Sequence, residues 1–171
     1  MQYLNSEDMR LALKNGVQRV IASQEGLNRI NVFPVADGDT GTNMALTVGA
    51  MGNVLHVQDK EPLHKLLARA ADALLDGARG NSGAILAQFF QGVSDTATEL
   101  TKFSTKTFAH AVEAGSTYAR DALSEPREGT ILSVIDAFAA SLTKHASVAG
   151  IDFPTLLGEG LGAAEKALAK T

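Results

Sequence analysis

Two aspartates, Asp37 and Asp39, stand two residues apart in the stretch Asn31-Val32-Phe33-Pro34-Val35-Ala36-Asp37-Gly38-Asp39-Thr40-Gly41-Thr42-Asn43. The same thirteen residues carry two glycines, two hydroxyls and two amides. Carboxylates at this spacing on a loop can turn toward one point, where their charges repel unless a cation neutralises them. With oxygens from Thr40, Thr42 and Asn43 and no His or Cys beside them, they make a hard-oxygen donor set. Mg²⁺ accepts such a set while keeping water or phosphate oxygens in its other positions. An EF-hand calcium loop is excluded, because counting from Asp37 the fifth residue is Gly41, the sixth Thr42 and the twelfth Val48. Pro34 and Gly38 interrupt regular structure, and the residues after Asn43 can continue as a helix. The loop is therefore expected at a helix N-terminus, where a phosphate would bind.

A second turn, Gly77-Ala78-Arg79-Gly80-Asn81-Ser82-Gly83, also feeds an apolar helical pattern. Backbone N–H groups around Gly80 and Gly83, the Ser82 hydroxyl and the Asn81 amide suit an anionic phosphate, and Arg79 could add a charge. A third turn, Pro126-Arg127-Glu128-Gly129-Thr130, precedes Ile131. The chain contains neither a G-x-x-x-x-G-K-[ST] loop nor a G-x-G-x-x-G after a strand, so the usual nucleotide-binding frameworks are absent. On spacing alone, these small polar loops are equally good turns and helix caps. His56, His64, His110 and His145 show no metal-binding or catalytic spacing and read as surface or packing residues.

The elements that must position these loops are helices. Apolar residues at 3.6-residue spacing predict helices over Asn5 to Gln24, stopped by Gly26, and over Met44 to Leu55, weakened by Gly49 and Gly52. Further helices are predicted over Glu61 to Gly77, through Ile85 to Val93, and from Ser104 to Leu123. The last two run from Ile131 to Leu142 and from Asp152 to Leu168. No stretch of four to eight residues alternates like a strand. Seven helices with short connections imply an up-and-down antiparallel bundle, in which alternate connections lie at one end. The three polar loops are those alternate connections and are expected to converge. The connections His56 to Lys60 and Thr96 to Lys102, at the other end, read as plain solvated linkers.

At 171 residues the chain suits one domain with its own core. It has no cysteine, which removes disulfides, thiolate zinc sites and a cysteine nucleophile, and fits a cytoplasmic location. A net charge of -4 with mixed signs, no tryptophan and two tyrosines weigh against a nucleic-acid partner. No apolar run approaches a membrane span, and the N-terminus lacks the layout of a signal peptide.

Taken together, the Asn31 to Asn43 stretch, Gly77 to Gly83 and Glu128-Gly129-Thr130-Ile131-Leu132 closely resemble the nucleotide-binding domain of bacterial fatty acid kinase, which is related to the L subunit of dihydroxyacetone kinase. The resemblance covers essentially the whole chain, 1–171. It implies an all-α, eight-helix antiparallel barrel that binds ATP or ADP with two Mg²⁺ ions at one end. By position, Asp37 and Asp39 would bridge the metals and carry the catalysis. Thr42 would be a further metal or phosphate ligand, with Thr40 and Asn43 beside the nucleotide. Gly80, Asn81, Ser82 and Gly83 would form the phosphate-facing turn, and Thr130 and Ile131 would approach the nucleotide. The dihydroxyacetone kinase branch carries a third aspartate before the pair, where this chain has only Asn31, so the fatty acid kinase branch is favoured. In that branch an acyl-binding partner protein presents the fatty acid, and acyl phosphate is the product. The alternatives are a dihydroxyacetone kinase L-type subunit and a regulatory module that holds ADP and Mg²⁺ without catalysis. Family members continue into an eighth helix, and fatty acid kinases into further domains through which a homodimer could form. Ending at Thr171, this chain is expected to be a fragment that lacks the last helix.

Overall fold

The computed structural model describes residues 1–32, 35–56 and 60–171. In chain order its elements are β1 (Tyr3–Asn5), α1 (Ser6–Ala22), α2 (Gln24–Ile30), α3 (Thr40–Gly49), α4 (Gly52–His56), α5 (Leu63–Gly77) and α6 (Gly80–Thr96). They continue with β2 (Lys102–Ser104), α7 (Thr105–Asp121), α8 (Ile131–His145) and α9 (Phe153–Leu168). The fold is all-α apart from the two three-residue strands. From α5 to α9, apart from the short β2, each helix packs on the next, as short connections dictate, and α3 is surrounded by α1, α2, α5 and α6.

Local chemistry starts most of these helices where the sequence predicts. Asn5 and Asp8 form a reciprocal capping box on α1, Ser104 and Thr107 do so on α7, and Asp152 caps α9 ahead of Pro154. The α5 pattern is buried as predicted, with Leu63, Leu66, Ala70 and Leu74 fully inside. Where α6 crosses α7, Gly92 and Gly115 let the backbones approach. A Cβ on Gly92 would lie 2.9 Å from Gly115 Cα, and one on Gly115 would lie 2.7 Å from the Phe89 carbonyl oxygen.

Four expectations are corrected. The first helix breaks at Ser23 (φ −93°, ψ 0°), and Gly26 lies inside α2 instead of stopping the helix. The second divides into α3 and α4 between Gly49 and Gly52, both poor helix formers. Strands do exist: β1 and β2 pair antiparallel with Leu4 opposite Phe103, and each strand is shorter than the window in which alternation becomes legible. The segment from Thr96 to Lys102 is no solvated linker, because Ala97 is fully buried, Leu100 packs on the core and the Leu100 carbonyl accepts the His64 N–H. The other linker, His56 to Lys60, lies mostly outside the described residues.

At this end of the bundle the chain is tightly tied. Phe153 N–H donates to the Met1 carbonyl at 2.9 Å, and Phe103, Phe108 and Phe153 meet edge-on at centroid distances of 5.5 and 5.6 Å. Nearby, Glu61 is largely buried between Arg10 (2.8 Å) and Arg69 (3.0 Å), while Arg10 also donates to the Val54 carbonyl. Burial pushes the Glu61 carboxyl up, but the hydrogen bonds and charges of Arg10 and Arg69 outweigh it and hold the group below the ordinary glutamate value. Replacing Glu61 with Ala should therefore lower stability by about 2–3 kcal/mol, less than the loss of a fully buried pair because Arg69 is partly exposed. The urea midpoint, at unchanged slope, measures this.

Candidate functional site

At the end of the bundle opposite the strands, the connections α2–α3, α5–α6 and α7–α8 surround a cavity of about 420 Å³. Asn31, Val32 and Thr40 contribute from the first, Asn81 and Ser82 from the second, and Gly129, Thr130 and Ile131 from the third. Leu27, Met44, Ile85 and Val134 form apolar walls, and Leu168 and Thr171 reach it from the end of α9. The expected convergence of the three loops is thus observed. The chemistry of the lining, apolar walls with polar groups from each of the three connections, is that of a small-molecule pocket.

Asp37 and Asp39 are both exposed, and neither lines the cavity, although Asn31 and Thr40 of the same loop do. Asn31 Nδ2 donates to Asp37 Oδ1 at 2.7 Å, so the residue standing in place of an acid acts as a donor to the one beyond it. Asp39 occupies the N-cap position of α3, yet its side chain makes no capping bond; its carbonyl accepts the Asn43 N–H at 2.8 Å instead. That bears on the capping alternative, since a carboxylate used only as a cap would accept from the first turn. Among the described residues no three His, Cys, Asp or Glu side chains gather into a metal-binding group. Protein ligands for a cation at this loop would be the two carboxylates, a hard-oxygen pair that fits Mg²⁺ with its remaining positions taken by water or phosphate oxygens. Phe33 and Pro34 lie outside the described residues.

Thr42 and Asn43, which do not line the cavity, hold α3 in place. Thr42 is bound to α2: its hydroxyl receives Asn28 Nδ2 at 2.9 Å and Gln24 Nε2 at 3.1 Å, and its N–H donates to Asn28 Oδ1 at 3.0 Å. Asn43 abuts the second loop, where Gly80 has φ +60° and a Cβ would lie 2.5 Å from Asn43 Nδ2. Only glycine adopts that backbone freely, and only glycine leaves room for the amide. One turn later the fully buried Thr47 donates to the Asn43 carbonyl at 2.7 Å and accepts the Arg79 N–H at 3.1 Å, with Gly83 packed against the same hydroxyl. Asn43, Gly80 and Gly83 therefore form a seam between α3 and α6, while Ser82, buried, and Asn81, exposed, face the cavity. The Arg79 guanidinium folds back on the Ala78 carbonyl.

Thr130 does cap. Its hydroxyl accepts from Leu132 N–H at 3.3 Å and donates to the Arg127 carbonyl at 2.7 Å, shaping the turn that brings Ile131 to the cavity. Glu128 tethers the same turn to both flanking helices, accepting from Ser133 on α8 at 2.7 Å and from Arg120 on α7 at 3.0 Å. Arg120 also pairs with Asp136, which receives the Ser116 hydroxyl. The Ser133 hydroxyl and the Arg120 guanidinium hold the exposed Glu128 carboxyl below its ordinary value, while Asp136 and Glu128 raise Arg120.

Gln24, Asn28, Thr47, Arg120 and Asp136 were not singled out in the sequence. Each acts on a partner brought close by helix packing, at separations from 14 to 32 residues, which leave no local period to read. Two isolated amides, Gln24 and Asn28, four residues apart on one helix face, were the only visible signal.

With this geometry in place, comparison with known proteins becomes informative. The model of the DAK2 domain matches residues 34–171. The chain belongs to the DAK2 domain family. This kinase-related family includes the L subunit of dihydroxyacetone kinase, and the all-α fold agrees with a DAK2 helical bundle. Protein YloV of Bacillus subtilis is 40% identical over 119 residues, covering 70% of this chain and 22% of that protein. Uncharacterized proteins of Staphylococcus saprophyticus and Staphylococcus epidermidis are 38% and 36% identical over 130 and 138 residues, covering 75% and 81% of this chain and 24% of each relative. The chain thus spans about a quarter of the length of the curated relatives it matches. No helix among the described residues is long and apolar enough to cross a membrane.

Two measurements test this construction. In Gly41→Ala the new methyl group would overlap the Gln24 carbonyl oxygen and crowd Asn28 and Leu27. Stability should fall by about 1–3 kcal/mol, as overpacking does elsewhere, read from the thermal or urea midpoint. For Glu128, a carboxyl held low in the fold contributes above the ordinary value of 4.5 and loses its contribution as the pH falls through its lower folded value. Amide exchange at Gly129, whose N–H donates to the Ser133 hydroxyl, should therefore keep its protection down to pH 4.5 and lose it below that pH, before global unfolding.

Proposed function

We propose that this DAK2 domain is the ATP-binding domain of a fatty acid kinase, working on a fatty acid presented by an acyl-binding partner protein. The observation that carries the reading is the convergence of three polar loops on one cavity, with Asp37 and Asp39 exposed on the loop that supplies Asn31 and Thr40 to it and Asp39 making no capping bond. The apolar walls around Leu27, Ile85 and Val134 suit a nucleobase, and Asn81, Ser82 and Thr130 suit polar contacts to the rest of a nucleotide.

Phosphoryl transfer is chiefly positioning and neutralisation of charge, so a site of this composition is chemically sufficient for the nucleotide half. Mg²⁺, when bound, would supply positive charge against the phosphates. Asp37 and Asp39 would hold it, Asn31 would orient Asp37, and the N-terminal turn of α6 with Ser82 would offer donors to phosphate oxygens. Asn43, Gly80 and Gly83 would keep α3 and α6 in register. A fatty acid carboxylate is ionised at neutral pH and needs no general base. The donor role of Asn31 favours this branch over the dihydroxyacetone kinase subunit. ATP as substrate makes the cytoplasm the compartment the reading implies.

Calorimetric titration of ATP should give binding heat with Mg²⁺ and little with EDTA. Asp37→Asn and Asp39→Asn should each weaken that binding by at least tenfold, about 1.4 kcal/mol, with unchanged helical circular dichroism. Unaltered affinity in both would show the carboxylates to be structural. Phosphate transfer by the full-length gene product to dihydroxyacetone, and none to an acyl-loaded partner, would favour the sugar kinase instead.

A further inference from the structure

Charge enters the cavity from one side. Among the described residues its lining includes two charged side chains, Glu125 and Arg127, and both belong to the α7–α8 connection. Arg79, the cation that the sequence offers to a phosphate, does not line the cavity, and its guanidinium donates to the Ala78 carbonyl at 2.8 Å. Arg29 on α2 is exposed and does not line it either. A nucleoside triphosphate keeps net negative charge after it has bound one divalent cation, and Arg127 is the described lining residue with positive charge to set against it.

The Arg127 side chain is held weakly. Its guanidinium meets the Glu125 carboxylate at 3.6 Å, longer than a hydrogen bond, with 55% and 82% of the two side chains exposed. An exposed pair of this kind contributes little, so a better acceptor displaces the carboxylate. The backbone is fixed by contrast: the Arg127 carbonyl accepts the Thr130 hydroxyl at 2.7 Å, and Glu128 ties the turn to Arg120 and Ser133. A rigid turn thus carries a loosely held guanidinium beside a cavity with apolar walls, where charges attract more strongly than in open water. The planar fork of arginine suits two oxygens of a phosphate at once.

We propose that Arg127 binds the phosphate chain of the nucleotide, exchanging the Glu125 carboxylate for it. The inference rests on the nucleotide reading above and moves the positive charge of the site from the second connection, where the sequence offers Arg79, to the third. Glu125 is the placeholder that occupies the guanidinium while the cavity is empty.

The test uses the 171-residue protein, with ATP in saturating Mg²⁺ as the probe and calorimetry as the readout. Arg127→Gln should raise the Kd for ATP about tenfold, the low end for a hydrogen bond to a charged group because the arginine is half exposed. Arg29→Gln removes the same charge from outside the cavity lining and should leave the Kd unchanged. Equal losses in the two variants would show a general effect of net charge and overturn the proposal. So would a larger loss in Arg79→Gln than in Arg127→Gln. Glu125→Gln frees the guanidinium and should tighten binding about two- to fivefold, the scale of an exposed ion pair. It should do nothing in the Arg127→Gln background. Equal tightening in both backgrounds would mean that Glu125 merely repels the nucleotide, and no exchange takes place. The turn uses the Arg127 carbonyl, so Arg127→Gln should melt with the unaltered protein. If it melts far below, salt decides: the Kd for ATP should rise less steeply with KCl in Arg127→Gln than in the unaltered protein, and equal slopes overturn the proposal. Failure of the unaltered protein to bind ATP with Mg²⁺ would instead remove the nucleotide reading itself.

Discussion

The first turns of α3 are wedged between α2 on one side and the α5–α6 turn on the other, and the candidate site depends on both contacts being close. Gly41 leaves no space for a side chain against Gln24, Leu27 and Asn28, and Gly80 leaves none against Asn43. Between these seats, Thr42 and Thr47 spend their hydroxyls on neighbouring elements. Close packing of this kind resists compression, so a shift of one helix start is transmitted to the next. The position of the acidic loop relative to Ser82 is therefore a consequence of helix packing.

The two ends of the bundle divide stability from chemistry. At one end the chain start, β2 and the first turns of α7 and α9 are tied by backbone hydrogen bonds and by three phenylalanines. At the other end the connections are polar, rich in glycine and exposed, with charged side chains at their edges. A well-anchored scaffold presenting loops around a cavity is the usual arrangement of a binding site. The Arg120, Glu128 and Asp136 group extends the anchoring to the third loop, whose backbone otherwise depends on the Thr130 cap.

Capping and catalysis compete for the same residue types, and the structure separates them residue by residue. Thr130 caps, Thr42 braces α3 on α2, and Asp39 sits at a cap position without using its side chain there. Composition could not have drawn these distinctions, because serine, threonine, asparagine and aspartate are chosen for both tasks.

What the sequence determined by itself was whatever depends on neighbours along the chain. The helical periods, the helix starts near Asn5, Ser104 and Asp152, and the parity of the connections followed from spacing, and from them the meeting of three loops at one end. The motifs also sufficed for the DAK2 resemblance. Only the tertiary structure decided the break at Ser23, the Leu4–Phe103 strand pairing, the buried bridge at Thr47, and the hold of Asn28 on Thr42. Each of these joins residues far apart in sequence by a contact one or two side chains wide. A local pattern records which face of a helix is apolar, whereas the partner that a single polar atom meets is set by how the helices pack.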